Sequence, residues 1–516
     1  MSARGVVAAG HPLTAQTGAA VLREGGNAVD AAVAAVLASC VTESPLTGLG
    51  AGGYMLVHTP DETALLDFFV AVPGGAERRA ELEPIPVDFT PETRQVFNIG
   101  AASCGVPGTL AGLELAIERY GSVPLADLAA PAARIAREGH VVNPEQAYFL
   151  EILEPILTRY AEAAEVYAPG GRLHRVGDTI RFPELGDAID RFGAEGAEPF
   201  YRGEIAAALS DWVLERGGTL GRDDLAAYEP IVREPVRAHF RGRDVFTNPP
   251  PSSGGILIAY ALKLLERLGE TDLESVVGAM EAAQLARTED FLAGLYAEGF
   301  AERFLDPDRL GAVAAALAER GRARAGPLTA DDALGSTTHI TAVDGEGRCA
   351  SVTCSNGTGS GLVVPGTGIH LNNMLGEEDL NPHGFHRHEA GRRMPSMMSP
   401  TVVLRGDELE AGLGSGGSNR IRSAILQTVL RLLADGARVD DAVDAPRVHF
   451  EAGTVQAEPG VDEQALVRLE ERGYGVFRWR ERNVFFGGVH AVARDPESGE
   501  LRGAGDARRG GAVAVA

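Results

Sequence analysis

Cysteine is scarce in this chain of 516 residues, which has only Cys40, Cys104, Cys349 and Cys354. None of them forms a CxxC pair, and each sits in apolar or strand-like surroundings. Zinc sites and disulfide frameworks need closer or denser cysteine spacing. We therefore expect four buried thiols and no bound metal.

Basic residues are outnumbered by acidic ones. Lysine is almost absent, the net charge is -25 and the pI is near 4.9. An excess of carboxylates disfavours nucleic acid and anionic membrane surfaces as partners. No segment approaches the roughly 20 apolar residues of a membrane span, and the first residues lack the pattern of a signal peptide. These absences predict a cytoplasmic protein that acts on small molecules.

Several catalytic motifs are missing as well. We find no GxSxG, HExxH or GxxxxGK[ST] pattern, which disfavours a serine hydrolase, a zinc protease and a P-loop enzyme. GLGAGG at 48–53 matches GxGxxG, yet a helix is expected before it and a strand after it, the reverse of a dinucleotide site. We expect no cofactor.

The patterns that are present divide the chain into a helix-rich first part and a mixed second part. Apolar spacing predicts a helix over 13–26, a buried helix over 27–40 capped by Asn27, and mostly amphipathic helices from 108 to about 320. NPPPSSGG at 248–255 is typical of a stiff turn before a helix. Residues 322–336, with a capped turn at 327–332, are predicted to be exposed.

Alternation at period two begins after that exposed stretch. Residues 338–344 and 348–355 predict a hairpin, 398–404 a strand, and LGSGGSNRI from 413 a glycine loop that leads into a helix to about 430. A further helix and two hairpin-like runs complete the chain.

Thr337 opens this hairpin directly behind Gly335 and Ser336. It has a simple interpretation, since threonine favours strands and caps. In the alternative, its hydroxyl attacks the Ser336 carbonyl and water then cleaves the resulting ester. The freed amine of Thr337, with an ordinary pKa of about 7.7–8.0, would serve as general base for its own hydroxyl.

Several motifs in order carry a family resemblance over essentially the whole chain. TTHITAVD, SVTCSNGTGSGLVVPGTGIHLNN, RMPSMMSPTVVL and GSGGSNRI resemble the small subunit of the γ-glutamyltranspeptidase family of N-terminal nucleophile hydrolases. GGNAVDAAVAAVLA, GLGAGGYMLV, GVPGTLAGLELAIERYGSVPLADL and NPPPSSGGI are similar to motifs of its large subunit. The resemblance implies an α+β fold, a four-layer αββα sandwich, and autocleavage into subunits 1–336 and 337–516.

The resemblance also assigns roles to single residues. Thr337 matches the nucleophile, and Ser355 stands where the family often has a threonine that assists the amine and the hydroxyl. Asn356 corresponds to a substrate-binding asparagine, at a spacing one residue shorter than in the family. Gly416, Gly417 and Ser418 would offer backbone N–H groups to the oxyanion, a role that also suits a glycine loop ahead of a helix.

The substrate-binding residues depart from the family pattern. Phe69 stands where the family has the arginine that binds the glutamyl α-carboxylate, and an aromatic ring cannot neutralise a carboxylate. Met374 replaces a glutamine, whereas Glu377, followed by Glu378 and Asp379, keeps an acidic group for an amine. Ser396 is kept, and Met397 replaces the second serine of a pair.

Other candidates are weaker. His383, His386 and His388 in HGFHRH are more typical of a solvent-facing loop than of a metal site. Arg392 and Arg393 are candidates for the missing cation. His339 is expected to pack within its strand, because the amine does the work of a base.

The resulting prediction is an autoprocessed amidase that cleaves γ-glutamyl, glutathione-like amides and transfers the acyl group to water or an amine. Phe69 keeps open an amidohydrolase for another small acyl amide, oxamate-like or acylated β-lactam-like. A non-catalytic binding relative is a further alternative, disfavoured by the complete set of Thr337, Thr338, Ser355 and the GSGGS loop. The partners expected are the small amide, the two self-derived subunits and a possible second copy of the heterodimer.

Overall fold

The computed structural model describes residues 4–74, 77–90, 93–320 and 336–516. They form a mixed α+β protein. The strands are β1 (Gly5–Ala9), β2 (Gly52–His58), β3 (Thr63–Phe68), β4 (Glu83–Thr90), β5 (Thr93–Ile99), β6 (His140–Val141), β7 (Thr179–Ile180), β8 (Ile231–Arg233), β9 (Val236–Phe240), β10 (Arg243–Thr247), β11 (Thr338–Asp344), β12 (Cys349–Ser355), β13 (Val363–Val364), β14 (Ile369–His370), β15 (Thr401–Arg405), β16 (Glu408–Gly416), β17 (Val448–Glu451), β18 (Thr454–Ala457), β19 (Gly475–Arg478), β20 (Gly488–Arg494), β21 (Leu501–Gly505) and β22 (Ala512–Val515).

Helices occupy most of the first part of the chain and flank the sheets in the second. They are α1 (Pro12–Glu24), α2 (Ala28–Thr42), α3 (Thr109–Tyr120), α4 (Leu125–Glu138), α5 (Pro144–Ile152), α6 (Glu154–Leu157), α7 (Ala161–Tyr167), α8 (Pro183–Glu195), α9 (Glu198–Tyr201), α10 (Glu204–Glu215), α11 (Arg222–Ala226), α12 (Ser253–Leu268), α13 (Leu273–Leu285), α14 (Glu289–Gly294), α15 (Phe300–Phe304), α16 (Pro307–Arg320), α17 (Arg420–Leu433), α18 (Val439–Asp444) and α19 (Glu463–Glu471). None of the helices in the described ranges is long and apolar enough to cross a membrane.

Two antiparallel sheets form the centre. The first has seven strands in the order β22-β1-β11-β12-β2-β3-β8, and the second has six in the order β21-β20-β16-β15-β10-β9. Strand β11 of the first sheet contacts β16 and β20 of the second, so the sheets pack face to face. All seven residues of β11 are buried, as expected for a strand covered on both faces.

Helices cover the outer face of each sheet. Helices α1 and α2 pack on β1, β11 and β12, whereas α12 and α17 pack on β9, β16 and β20. Every residue of α2 is buried, in line with its apolar sequence, and Asn27 caps it through a reciprocal capping box with Asp30. Strand β11 therefore lies in the middle of a layered stack.

Most of the local predictions are confirmed and three are wrong. The helices at 13–26 and 27–40 and the hairpin at 338–355 are present as α1, α2, β11 and β12, and all four cysteines are buried and free. Residues 231–247 form strands β8 to β10 inside the stretch expected to be helical, and 413–416 extend β16 instead of forming a loop. The predicted turn at 327–332 and the rest of 322–335 lie outside the described residues, and Ser336, the last residue of the stretch expected to be exposed, is buried.

Candidate active site

Thr337 lies immediately before β11, in the interior of the seven-stranded sheet. The next residue, Thr338, pairs with Cys354 on β12. Thr337 therefore lies opposite Ser355, at the end of that strand. Thr337 is only 6% exposed. The hairpin thus brings together two hydroxyl residues that are 18 positions apart in the sequence.

The hydroxyl groups of Thr337 and Ser355 form a short relay to the peptide bond before Thr337. Thr337 Oγ1 donates to Ser355 Oγ at 3.3 Å, and Ser355 Oγ donates to the Ser336 carbonyl oxygen at 2.6 Å. The backbone N–H of Gly357 donates to Ser355 Oγ at 3.1 Å and so fixes that hydroxyl. A proton leaving Thr337 has a path to the carbonyl that Thr337 would attack.

Gly416, Gly417 and Ser418 form the turn between β16 and α17, on the other side of Thr337. A Cβ on Gly416 would lie 2.2 Å from the Thr337 carbonyl oxygen, so only glycine lets the two backbones approach this closely. Gly417 has φ +122° and Ser418 φ +50°, both in the left-handed region that favours glycine. The turn leads into the 14-residue helix α17, whose N-terminal dipole favours negative charge.

A cavity of about 50 Å³ opens beside these groups. Thr337, Ser355 and Ser336 line it, so the residue before Thr337 is itself part of the wall. The apolar part of the lining is made by Phe69, Met374, Leu380, Met397, Met398 and Ile421. The ring of Phe69 stacks on Tyr54 with their centroids 5.4 Å apart, which holds the ring in place.

Two carboxylates, Glu377 and Asp379, and the hydroxyl of Ser396 complete the wall. Glu377 Oε1 accepts a hydrogen bond from the Thr358 N–H at 3.2 Å, and Asp379 accepts one from Ser418 Oγ. Within the described part of the chain, no arginine, lysine or histidine lines this cavity. The wall can therefore hold an amine and an apolar chain, but it offers no cation for a carboxylate.

Arg392 and Arg393 do not supply that cation. Arg393 is 7% exposed and lies behind Phe69, where it donates to the Phe69 carbonyl oxygen at 2.9 Å and pairs with Asp67 at 3.3 Å. Arg392 pairs with Glu389 at 2.8 Å. Neither guanidinium lines the cavity, so the suggestion that they replace the missing arginine is wrong for this conformation.

The structure places two other expected residues as follows. Ser396 lines the cavity, and its carbonyl oxygen accepts a hydrogen bond from Ser252 Oγ at 2.8 Å. The NPPPSSGG turn therefore holds the backbone of Ser396 in place. Asn356 is fully buried next to Ser355 but outside the cavity lining, and its Nδ2 donates to the His370 carbonyl oxygen at 3.3 Å. A direct contact of Asn356 with substrate would need the cavity to change shape.

The histidines stand apart from the reacting groups. His339 is fully buried between the hydroxyl groups of Thr353 and Thr341, at 2.8 and 2.9 Å, and burial lowers its pKa well below the ordinary value. It packs in the strand, as expected. His383 pairs with the exposed Glu289 at 3.2 Å, and the described residues contain no cluster of three or more possible metal ligands.

Sequence reasoning missed two charged residues that lie close to Thr337. Glu43, at the end of α2, accepts a hydrogen bond of 2.5 Å from Thr338 Oγ1, and burial raises its pKa to about 7. Arg509, near the end of the chain, donates from Nη1 to the Thr337 carbonyl oxygen at 3.4 Å. Both are far from Thr337 in sequence, so no local pattern could indicate them.

The chain is similar to known proteins over nearly its whole length. The gamma-glutamyltranspeptidase family model matches residues 14–516. The chain is 30% identical to the glutathione hydrolase proenzyme of Bacillus subtilis (strain 168), an alignment covering 99% of this chain and 91% of the relative. It is 32% identical to the Acylase ACY 1 proenzyme of Pseudomonas sp. (strain SE83), with 97% and 91% covered.

A solved structure is similar over the same length. The cephalosporin acylase from Bacillus halodurans superposes with a TM-score of 0.84 at 27% identity, covering 99% of this chain and 96% of that one. Family model, relatives and fold all extend over both the helix-rich part and the part that begins at Thr337. This chain therefore belongs to the gamma-glutamyltranspeptidase family.

Proposed function

We propose that the protein is an autoprocessed amidase that uses Thr337 as an N-terminal nucleophile to cleave γ-glutamyl, glutathione-like amides. The observation that carries the proposal is the relay from Thr337 Oγ1 through Ser355 Oγ to the Ser336 carbonyl oxygen. The relay connects the Thr337 hydroxyl, through a path for its proton, to the peptide bond between Ser336 and Thr337. The names of the relatives, glutathione hydrolase proenzyme and acylase proenzyme, support both the processing and the amide chemistry.

Maturation would proceed by an N-to-O acyl shift. Thr337 Oγ1 attacks the Ser336 carbonyl carbon, its proton passes to Ser355, and Ser355 donates its own proton towards the developing oxyanion. The proton on that oxygen then passes to the Thr337 nitrogen as the carbonyl re-forms and the C–N bond breaks, which leaves an ester on Thr337 Oγ1 and a free α-amine. Water hydrolyses the ester, so Ser336 ends the subunit 1–336 and Thr337 begins the subunit 337–516.

Catalysis would use the same hydroxyl with a new base. The α-amine of Thr337 takes the hydroxyl proton as Oγ1 attacks the amide carbonyl of the substrate. Backbone N–H groups of Gly416, Gly417 and Ser418 face the oxyanion, and removal of one such donor typically costs about 10²–10³ in rate. The leaving amine takes the proton, and water or an acceptor amine releases the acyl group from Thr337.

We propose that the two sheets and their outer helices form the four-layer αββα sandwich of N-terminal nucleophile hydrolases. The packing of α1 and α2 on one sheet and of α12 and α17 on the other supports this architecture. Further pairing of the mature heterodimer into a homodimer is a prediction of the resemblance. Light scattering of the mature protein tests it.

A second candidate function is an acylase for amides whose acyl group lacks a carboxylate. The specific observation is the cavity wall, where Phe69 takes the place of a cation while Glu377 and Asp379 remain. Such a wall accepts an acyl chain that is apolar or carries an amine. The acylase relative, at 32% identity, is consistent with this candidate.

Two measurements test the proposal. Intact mass of the wild-type protein should show two fragments that part between Ser336 and Thr337, and Thr337→Ala should give one uncut chain. If the wild-type protein stays uncut and shows no activity, a non-catalytic binding protein is the better description of this chain.

Matched anilides then separate the two candidate substrates. We would compare γ-glutamyl-p-nitroanilide with 4-aminobutanoyl-p-nitroanilide, which differs only in lacking the α-carboxylate, and with butanoyl-p-nitroanilide, which lacks the amine as well. A higher kcat/KM for the γ-glutamyl compound supports the first function. A higher value for the 4-aminobutanoyl compound supports the acylase.

A further inference from the structure

Arg509 is a buried arginine directly behind the nucleophile. It ends the short 3-10 helix Ala507–Arg509, is 6% exposed, and donates from Nη1 to the Thr337 carbonyl oxygen at 3.4 Å. A Cβ on Gly416 would lie 3.2 Å from Arg509 Nη1, and one on Gly417 would lie 3.5 Å from Nη2. The guanidinium therefore lies against both the Thr337 backbone and the turn that faces the oxyanion.

Arg509 keeps its positive charge at neutral pH. Burial and the nearby Arg420 lower its pKa to about 10, and Asp506 and Tyr148 act in the opposite direction. A group with this pKa is almost fully protonated at pH 7. The ring of Phe149, 5.7 Å from the guanidinium carbon, further covers the charge from water.

The distance to the reacting amine follows from covalent geometry. The nitrogen and carbonyl oxygen of one residue are at most about 3.6 Å apart. With the hydrogen bond of 3.4 Å added, Arg509 Nη1 lies within about 7 Å of the Thr337 nitrogen. At an effective dielectric constant of about 20, a positive charge at this distance disfavours a second one by roughly one to two pH units.

We propose that Arg509 is a positioning residue that keeps the mature α-amino group of Thr337 in its uncharged, proton-accepting form. It does so by holding the Thr337 carbonyl and by placing a permanent positive charge beside the amine. A protonated amine cannot take the proton of Thr337 Oγ1, so the free form is the catalytic one. The inference rests on the proposed cleavage before Thr337.

Among the described residues, other titratable groups also lie near Thr337 and Arg509, and the carboxylate of Asp506 opposes part of the effect of Arg509. Burial raises the pKa of Glu43, which accepts a hydrogen bond from Thr338 Oγ1, to about 7, so this carboxyl is about half protonated at pH 7 and mostly uncharged only below that pH. Glu377 and Asp379 line the cavity, and Asp379 accepts a hydrogen bond from Ser418 Oγ. Burial keeps His339 and His490 uncharged at neutral pH, since it lowers the pKa of His490 to about 4 and that of His339 well below its ordinary value.

The wild-type enzyme provides the first test. Reductive methylation with ¹³C-formaldehyde labels the Thr337 amine, the amine at the start of the chain and Lys263, which is the sole lysine in the sequence. Uncut Thr337→Ala protein lacks the Thr337 resonance and so assigns it. We expect this amine to titrate about one unit below the ordinary 7.7–8.0 of an α-amine, and a value of 8 or higher overturns the proposal.

Two variants provide the second test, in the pH dependence of kcat/KM. Arg509→Met should move the acidic limb of the profile up by about one pH unit, whereas Arg509→Lys, which keeps the charge, should leave it within about 0.3 unit of wild type. A purely structural role would lower kcat in both variants without moving the limb, and that result overturns the proposal.

The outcomes remain separable from those of the proposed function. Wild-type protein that is never cut overturns the function, whereas cut protein with an ordinary amine pKa overturns only the role of Arg509. If Arg509→Met is not cut, the titration of the wild-type amine still decides.

Discussion

The two sides of the candidate active-site cavity match the family resemblance to different extents. The reacting side consists of Thr337, Ser355 and the Gly416–Ser418 turn, which stand where the resemblance expects the reacting groups; Thr337 Oγ1 lies 3.3 Å from Ser355 Oγ, which lies 2.6 Å from the Ser336 carbonyl oxygen. The opposite wall has Phe69, Met374 and Met397 where the resemblance expects polar side chains. We infer that bond cleavage constrains the geometry of the reacting side closely, whereas the wall is constrained only by the acyl group it holds.

The strongest test of the reacting side is Ser355→Ala. It removes the only hydroxyl that donates to the Ser336 carbonyl among the described residues, so the oxyanion of the acyl shift loses its donor. We expect self-cleavage to slow by about 10²–10³-fold, measured as the fraction of uncut chain over time after cell-free synthesis.

Ser355→Thr is the matched control, because it keeps the hydroxyl and adds a methyl group. It should be cut within about threefold of the wild-type rate if the hydroxyl alone matters. Cleavage of Ser355→Ala at the wild-type rate would contradict the relay and with it the contrast between the two sides.

Glu43→Gln tests the contact between Glu43 and Thr338 of β11 through the pH dependence of stability. Burial raises the pKa of Glu43 from 4.5 to about 7, so between these values the folded state keeps a proton that the unfolded state has released. Stability then falls as pH rises from about 4.5 to 7, by on the order of 3 kcal/mol. The neutral amide avoids this loss.

We therefore expect Glu43→Gln to unfold at a higher temperature than wild type at pH 8. This increase in unfolding temperature should vanish near pH 4.5. Thermal unfolding followed by circular dichroism over this range measures it, with Thr337→Ala as a background that keeps both proteins uncut. An equal gain at both ends of the range would show that Glu43 does not titrate as proposed.

Phe69→Arg tests the opposite wall. It places a guanidinium where the cavity has an aromatic ring, so a substrate carboxylate gains a charged hydrogen bond worth about 1.5–3 kcal/mol. The ratio of kcat/KM for γ-glutamyl over 4-aminobutanoyl anilide should rise by about 10–100-fold.

Phe69→Leu is the control for the lost ring, since it opens similar space without charge and should leave the ratio within about threefold of wild type. If both variants move the ratio equally, space and not charge sets the preference. In that case the lack of a positive charge at position 69 is not what disfavours a substrate carboxylate.

Local patterns in the sequence predicted the reacting side better than its surroundings. The period-two alternation around Thr337 and the glycine run before α17 are contiguous signals; the hairpin was placed correctly, whereas residues 413–416 of the predicted loop belong to β16. Strands β8 to β10 were missed because short strands within a long helical stretch gain their stability from neighbouring strands, not from local propensity. Arg509 and Glu43 reach Thr337 and Thr338 across 172 and 295 residues, and only the packed sheets bring them there.

The smallest predicted effect concerns Met397, the replaced half of the serine pair. Its side chain is 4% exposed and its sulfur accepts from Ser253 Oγ at 3.5 Å, so any smaller residue leaves a gap as well as a new surface. Met397→Ala makes the gap alone, and Met397→Ser makes nearly the same gap with a hydroxyl. A neutral hydrogen bond to the substrate carboxylate is worth about 0.5–1.5 kcal/mol, so the ratio for γ-glutamyl over 4-aminobutanoyl anilide should be about 3–10-fold higher in the serine variant. Equal ratios would mean that this position does not contact the carboxylate, and Phe69 and Met374 would then account for the altered wall.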